Sequence, residues 1–252
     1  MTLESKRLLL AAGTASFLVF LVTGAPATLL GPALGAAGME ASGLTGTLWA
    51  GEARSIQAGP LRLDEVRWRT HPSRLLLGQL AADVAGNMPD GFLSGSVAVH
   101  ATGDLSLRDL QAATPLAGLV PGTAPGSQAS LRMTELKLAD GWITTARGTV
   151  SLAGINLEIP GTQGNPGTTG SFEVSFDAPE VSPESPLTGL LTDTGGPLEI
   201  AGTVVLTPPR NYELNGKARA RPGAPSALVD GLRMAGPRDA EGRHEVSLAG
   251  SF

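Results

Sequence analysis

Cysteine is absent from this 252-residue chain. That excludes disulfides, thiol nucleophiles and cysteine-ligated metals. Aromatic residues make up only 4% of the chain, and without disulfides the fold must be held by its core and its backbone ladders. The three histidines, His71, His100 and His244, stand far apart with no metal-ligand spacing, and His71 and His244 read as surface residues. Basic clusters are missing too: 18 Lys+Arg face 23 Asp+Glu, which argues against nucleic acid as a partner. A Gly-x-Ser-x-Gly elbow, a phosphate loop and a dinucleotide fingerprint are all lacking. Carboxylates come close in sequence at Asp64-Glu65, at Asp177, Glu180 and Glu184, and at Asp239 and Glu241. The first pair is read on a strand, where neighbours point to opposite faces, and the others read as solvated turns. The residues name no catalytic set, no metal and no cofactor, and the chain is read as no enzyme.

What the chain has instead begins with a long uncharged start. Lys6 and Arg7 are followed by no charged side chain until Glu40. Residues 8–25 (LLLAAGTASFLVFLVTGA) form an 18-residue apolar stretch. At helical rise it covers about 27 Å, close to the hydrocarbon thickness of a bilayer. Positive charge on its N-terminal side keeps that side cytoplasmic, so the remainder is expected outside the cytoplasm. The rival reading is a signal peptide cleaved after Ala27, at Ala25-Pro26-Ala27. Against it, the apolar run exceeds the usual length, and Leu29, Leu30 and Leu34 follow the site. The expected order is a cytoplasmic tail over 1–7, a transmembrane anchor over 8–25, a linker over 26–42 and an exported β domain over 43–252.

Beyond the anchor, 34 glycines and 19 prolines speak against helices and for short strands joined by turns. A Gly followed by a small or β-branched residue and an alternating apolar run recurs, as in Gly95-Ser96-Val97-Ala98-Val99, Gly148-Thr149-Val150-Ser151-Leu152, Gly170 to Phe176, and Gly202-Thr203-Val204-Val205-Leu206. Such alternation marks strands with one buried and one wet face. Further strands are predicted over 53–58, 61–68, 79–85, 129–138, 142–146, 198–201, 212–220 and 245–249. Turns are predicted at Asp90-Gly91, Asp140-Gly141, Asn215-Gly216 and Glu241-Gly242. Residues 107–119, 186–192 and 226–234 read as short helices, and 160–170 and 179–186 as loops. The length suits one β domain, or two halves meeting near residues 121–126. An apolar set of Val97, Val99, Val150, Leu152, Phe172, Val174, Phe176, Val204 and Leu206 either fills a core or lines an open trough.

One segment resembles a known family. Gly43-Leu44-Thr45-Gly46-Thr47-Leu48-Trp49-Ala50-Gly51-Glu52-Ala53 is followed by Val66-Arg67-Trp68-Arg69-Thr70-His71-Pro72-Ser73-Arg74-Leu75-Leu76-Leu77-Gly78. This pairing resembles the type II secretion system protein N family. The likeness extends through Leu105-x-Leu107-x-Asp109-Leu110 and Thr114-Pro115-Leu116. It closes on Leu232-x-Met234-x-Gly236-Pro237-x-Asp239-x-x-Gly242-Arg243 and a terminal Ala249-Gly250-Ser251-Phe252.

The resemblance implies an accessory, non-enzymatic inner-membrane component of the apparatus that exports folded periplasmic proteins across the outer membrane. It implies a single-pass topology with a periplasmic C-terminal domain, and partners among the inner-membrane platform and the secretin. Gly46, Trp49, Gly51, Trp68, Pro72 and Gly78 are the family-signature residues and the candidate interface; for the two tryptophans the alternatives are core packing and an interface anchor. The implied fold is mainly β: the transmembrane helix followed by a curled, elongated antiparallel sheet, an open barrel or taco similar to the AsmA-like group, with a few short helices. That similarity carries the alternative function, a periplasmic lipid-binding or lipid-guiding module of the cell envelope, with membrane lipid as partner.

Overall fold

The structure, a computed structural model, describes residues 24–59, 61–116, 126–155 and 170–251. The expected tail over 1–7 and residues 8–23 of the expected anchor lie outside the described residues, as do 117–119 of the helix expected over 107–119 and 160–169 of the expected loop. Among the described residues no helix is long and apolar enough to cross a membrane. The chain divides into two compact units, one ending at Pro89 and one beginning at Asp90, earlier than the 121–126 stretch.

The first unit opens with a 3-10 turn over Ala27–Leu29 and a short helix α1 (Leu30–Ala36). Strands β1 (Met39–Ser42), β2 (Thr45–Gly46), β3 (Ala50–Ala58), β4 (Leu61–Thr70) and β5 (Gln79–Met88) follow, with a 3-10 helix over Pro72–Leu77 before β5. β1 and β2 pair with β3, β3 with β4 and β4 with β5, all antiparallel. Ala53 and Val66, directly opposed across β3 and β4, are nearly inaccessible.

The second unit is a meander of β6 (Gly91–His100), β7 (Leu105–Pro115), β8 (Gln128–Ala139), β9 (Trp142–Ile155), β10 (Gly170–Ala178), β11 (Leu187–Gly195), β12 (Leu198–Thr207), β13 (Asn211–Ala220) and β14 (His244–Ser251), with α2 (Ser226–Ala235) between the last two strands. Each strand from β7 on pairs antiparallel with the one before it. Among the described residues the sheet is not closed: β1 pairs only with β3, and β14 only with β13. The mainly β, antiparallel, open character and the few short helices agree with the sequence.

Alternation sorts the side chains of the second unit. Leu131, Met133, Val150, Val174, Phe176, Leu187 and Leu206 meet in one apolar cluster, and Leu191, Ile200, Ala218, Leu214 and Val246 in a second. α2 closes the second cluster with Leu232; the wet face of α2 carries the Asp230–Arg233 pair at 3.1 Å. This helix is the one predicted over 226–234.

Two other predicted helices are strands. Residues 107–115 belong to β7, and the three-residue step from Leu107 to Leu110 that mimics a helix is a bulge at Asp109, whose φ is +50°. Equivalent steps from Met133 to Leu136 and from Ile143 to Ala146 coincide with register shifts in β8 and β9. Leu110, Met133, Leu136, Ile143 and Ala146 still reach the same cluster, because one extra residue restores the face that an unbroken alternation would lose. Residues 187–192 belong to β11. There Leu187 and Leu191 face inward while Leu190 points to solvent, 56% exposed, so the Leu187/Leu190/Leu191 triplet is not a helical stripe.

The Asn215-Gly216 pair is no turn either. It lies in mid-β13, with Gly216 opposite Gly202, where the two backbones approach too closely for a side chain. Asp140-Gly141 does turn the chain, between β8 and β9, with both residues at positive φ as a type I′ turn requires.

Leu187 is 2% exposed within the first cluster. Leu187→Ala is expected to lower unfolding free energy by about 3 kcal/mol. Leu190→Ala is expected to leave it nearly unchanged, and urea denaturation of the two variants checks the strand assignment.

Candidate functional site

The signature residues gather at one end of the first unit. β2 and β3 are joined by Thr47-Leu48-Trp49, and Thr47 organises that turn. Its N–H donates to Ala50 O at 2.9 Å, while its Oγ1 accepts from the backbone N–H groups of Trp49 and Ala50 at 3.3 and 3.1 Å. Gly46 enters the turn at φ +86°, where a Cβ would fall 2.6 Å from Ala50 O, so glycine alone fits. Gly51 lies opposite Trp68 across β3 and β4. A Cβ on Gly51 would lie 2.5 Å from the indole ring. The ring therefore packs over bare backbone, and its Nε1 donates to Thr47 O at 3.3 Å. Trp68 thus packs against the sheet, and its polar edge closes the turn.

Thr70, at the end of β4, fastens the same turn from the other side. Its N–H donates to Trp49 O at 2.7 Å, and its Oγ1 donates to Leu48 O at 2.8 Å. Leu48 in turn donates its N–H to Ala25 O at 2.9 Å, and Pro26 bridges Thr47. Ala27 is 1% exposed. The chain is therefore pinned where it enters the unit, within residues 25–27 of what reads from sequence as anchor end and linker.

Pro72 begins the 3-10 helix with no N–H to lose, and Gly78, at φ +70°, ends it by donating to Leu75 O at 3.0 Å. His71 precedes it, donating its N–H to Ala81 O and pairing through Nε2 with Asp83 Oδ2 at 2.9 Å. The structure thus brings all six signature residues to one end, in architectural roles: two glycines under a turn and an indole, a tryptophan within the turn, an indole across it, and a proline and a glycine bounding a helix.

No three His, Asp or Glu among the described residues are grouped to hold a metal. Asp64 accepts from Arg62 Nε at 3.0 Å and Glu65 from Asn87 Nδ2 at 3.0 Å, so that adjacent pair is spent on separate partners. In the second unit a cleft of about 430 Å³ lies between Trp142, Ser182, Pro183 and Pro209. Its side is fixed by Trp142 Nε1 donating to Ser185 O at 3.1 Å.

The second unit also holds a polar knot that the sequence reading took for a solvated turn. Asp239 Oδ1 accepts from the N–H groups of Glu241 and Arg243 at 3.1 and 2.8 Å. Its Oδ2 accepts from Lys217 Nζ at 3.0 Å and Arg243 Nε at 3.3 Å. The Arg243 N–H above all, helped by the Lys217 and Arg243 cations, holds this carboxyl well below the usual carboxylate range, and partial desolvation opposes it only in part. Next to it His244 is 3% exposed, not a surface residue. Arg238 Nε donates to its Nε2 at 3.2 Å, so Nδ1 carries the proton and donates to Gly236 O at 2.7 Å. The spacing Gly236-x-x-Asp239-x-x-Gly242-Arg243-His244 was the available signal: an Asp two and four residues before backbone donors is a turn-capping pattern.

Two outcomes are expected. Gly51→Ala sets a methyl into the Trp68 ring and costs about 2 kcal/mol, whereas Trp68→Phe keeps the ring contact and costs about 1 kcal/mol for the lost donor. Chemical denaturation distinguishes them. Because the folded-state pKa of Asp239 is depressed, its contribution is present at neutral pH and is lost as pH falls toward that lowered value. Asp239→Asn is therefore expected to lower the urea midpoint at pH 7, with the gap from the native chain narrowing below about pH 4.

Comparison with known proteins bears on the whole chain. The family described as type II secretion system (T2SS), protein N, matches residues 37–247. A protein named type II secretion system protein N from Aeromonas hydrophila is 24% identical over 266 aligned positions, covering 98% of this chain and 99% of the relative. One of the same name from Klebsiella pneumoniae is 30% identical over 239 positions, covering 91% and 89%. A third, from Vibrio cholerae serotype O1, is 33% identical over 132 positions, covering 49% of this chain and 52%, about half, of the relative's length. No solved structure matches.

Proposed function

The chain belongs to the type II secretion system protein N family, and on that footing we propose that it is an accessory, non-enzymatic inner-membrane component of the type II secretion system. In this reading residues 8–25 cross the inner membrane once, residues 1–7 stay cytoplasmic, and the β units stand in the periplasm. Its work is structural, in the export of folded periplasmic proteins across the outer membrane, and its partners are the inner-membrane platform and the secretin. The signature end of the first unit, with Gly46, Trp49, Gly51, Trp68, Pro72 and Gly78, is the proposed contact region.

The observation that carries the anchored reading is the pinning of residues 25–27. Ala27, the residue after which a signal peptidase would cut, is 1% exposed, and Ala25 and Pro26 are bonded to Leu48 and Thr47. Cleavage there would discard part of the folded unit. A protein that keeps this segment keeps whatever precedes it, and the uncharged run over 8–25 is what precedes it.

A second reading, a lipid-binding or lipid-guiding module, is favoured by one feature of the second unit. Its apolar face stays open on the outer strands, where Val99 on β6 and Leu248 on β14 are 43 and 54% exposed. An open greasy margin of this kind suits an acyl chain better than a sealed core does.

A crosslinking pulldown from membranes of the native host, with the full-length chain as bait, separates the two. Recovery of the secretion platform or the secretin is expected. Recovery of lipid-transport or envelope-biogenesis proteins with none of that apparatus would overturn the secretion role and leave the lipid reading.

A further inference from the structure

Five exposed large apolar side chains belong to the segments at the end of the first unit where the chain enters it. Leu75, Leu76 and Leu77 are 44, 89 and 69% exposed, Leu80 is 52% exposed at the start of β5, and Leu29 is 59% exposed just before α1. Among the described residues these are all the exposed large hydrophobics of the first unit. No residue of the 3-10 helix Pro72–Leu77 is buried, so its three consecutive leucines contribute nothing to the core. Three consecutive exposed leucines in one short turn, an apolar tip of this kind, mark a surface that meets something other than water.

Its place says what. The 3-10 helix that carries these leucines starts two residues after Thr70, Thr70 holds Leu48, and Leu48 holds Ala25. Residues 1–23 precede the described residues in sequence, and the apolar run read as the anchor ends at residue 25, where the pinning begins. No slack separates the two. Even a span ending at residue 22 leaves only residues 23 and 24 before the pinned Ala25, about 10 Å of chain, which is comparable to the depth of one headgroup layer.

We propose that the Leu75–Leu76–Leu77 turn dips into the periplasmic surface of the membrane that residues 8–25 cross, with Leu29 and Leu80 at its margin. The inference rests on the anchored reading above. Burial of about 5–10 Å, usual for interfacial elements, brings the leucines to the acyl boundary. Arg74, exposed in the same turn, then lies at the level of the lipid phosphates. The signature would on this account do two things at once: hold the entering chain against the unit, and turn its apolar tip toward the bilayer.

The absence of cysteine makes the test clean. Single variants Leu76→Cys, Gln57→Cys and Ser16→Cys of the full-length chain are labelled with an environment-sensitive fluorophore and reconstituted into vesicles of phosphatidylethanolamine and phosphatidylglycerol carrying an acyl-chain spin-label quencher. Gln57 is exposed at the opposite end of β3, paired with Arg62 beside the β3–β4 turn. The expected result is a blue-shifted, lipid-quenched probe at Leu76 and at Ser16, and a water-exposed probe at Gln57. Quenching at Ser16 with none at Leu76 overturns this inference and leaves the anchor standing. No quenching at Ser16 overturns the anchor and the inference together. A blue shift at Leu76 without lipid quenching also overturns it, assigning the tip to a second copy or another protein.

Discussion

Everything in this molecule hangs on the antiparallel ladder. With no disulfide and little helix, each strand is held by backbone hydrogen bonds to its neighbours and by the apolar face that alternation creates. The ladder fixes register, and register decides which face each side chain takes. Cross-strand ion pairs support that choice: Glu199 lies opposite Arg219 with their side chains 2.9 Å apart, and Glu135 opposite Arg147 at 3.0 Å. Such pairs on a wet face add little stability, but a slip of one residue would bring apolar side chains into their places. The bulge at Asp109 and the shifts in β8 and β9 show the same constraint from the apolar side, since an extra residue is tolerated where it keeps Leu110, Met133 and Ala146 facing the core.

The sequence was most legible where alternation was unbroken. Phe172, Val174 and Phe176 announce β10, and Leu228 and Leu232 announce α2. It misled where a bulge produced three-residue spacing, at Leu107 and Leu110, and where a leucine faces outward, at Leu190, because short apolar runs carry helix and strand periods equally well. Asn215-Gly216 misled for a different reason. A glycine read as conformational freedom is there as missing volume, and nothing in one strand's sequence reveals what its neighbour brings close.

The site divides in the same way. Gly46, Gly51 and Trp68 could be singled out from sequence, but their partnership could not, since the indole meets glycine backbone across a ladder seventeen residues later. The Asp239 knot was visible as spacing and was passed over because acidic residues beside glycine and proline ordinarily face solvent. Its carboxylate instead gathers two backbone donors and two cations, which organises the segment from α2 into β14 and seats His244 inside it.

The pinning of Ala25 and Pro26 also has a mechanical side. A folded domain on a flexible linker is free to swivel, and its tether tells it nothing about direction. Here the entering chain is bridged to the sheet at Thr47 and Leu48 and wedged at Ala27. The connection behaves as a spindle and not as a leash: a twist or tilt imposed on one side of the joint is handed to the strands on the other.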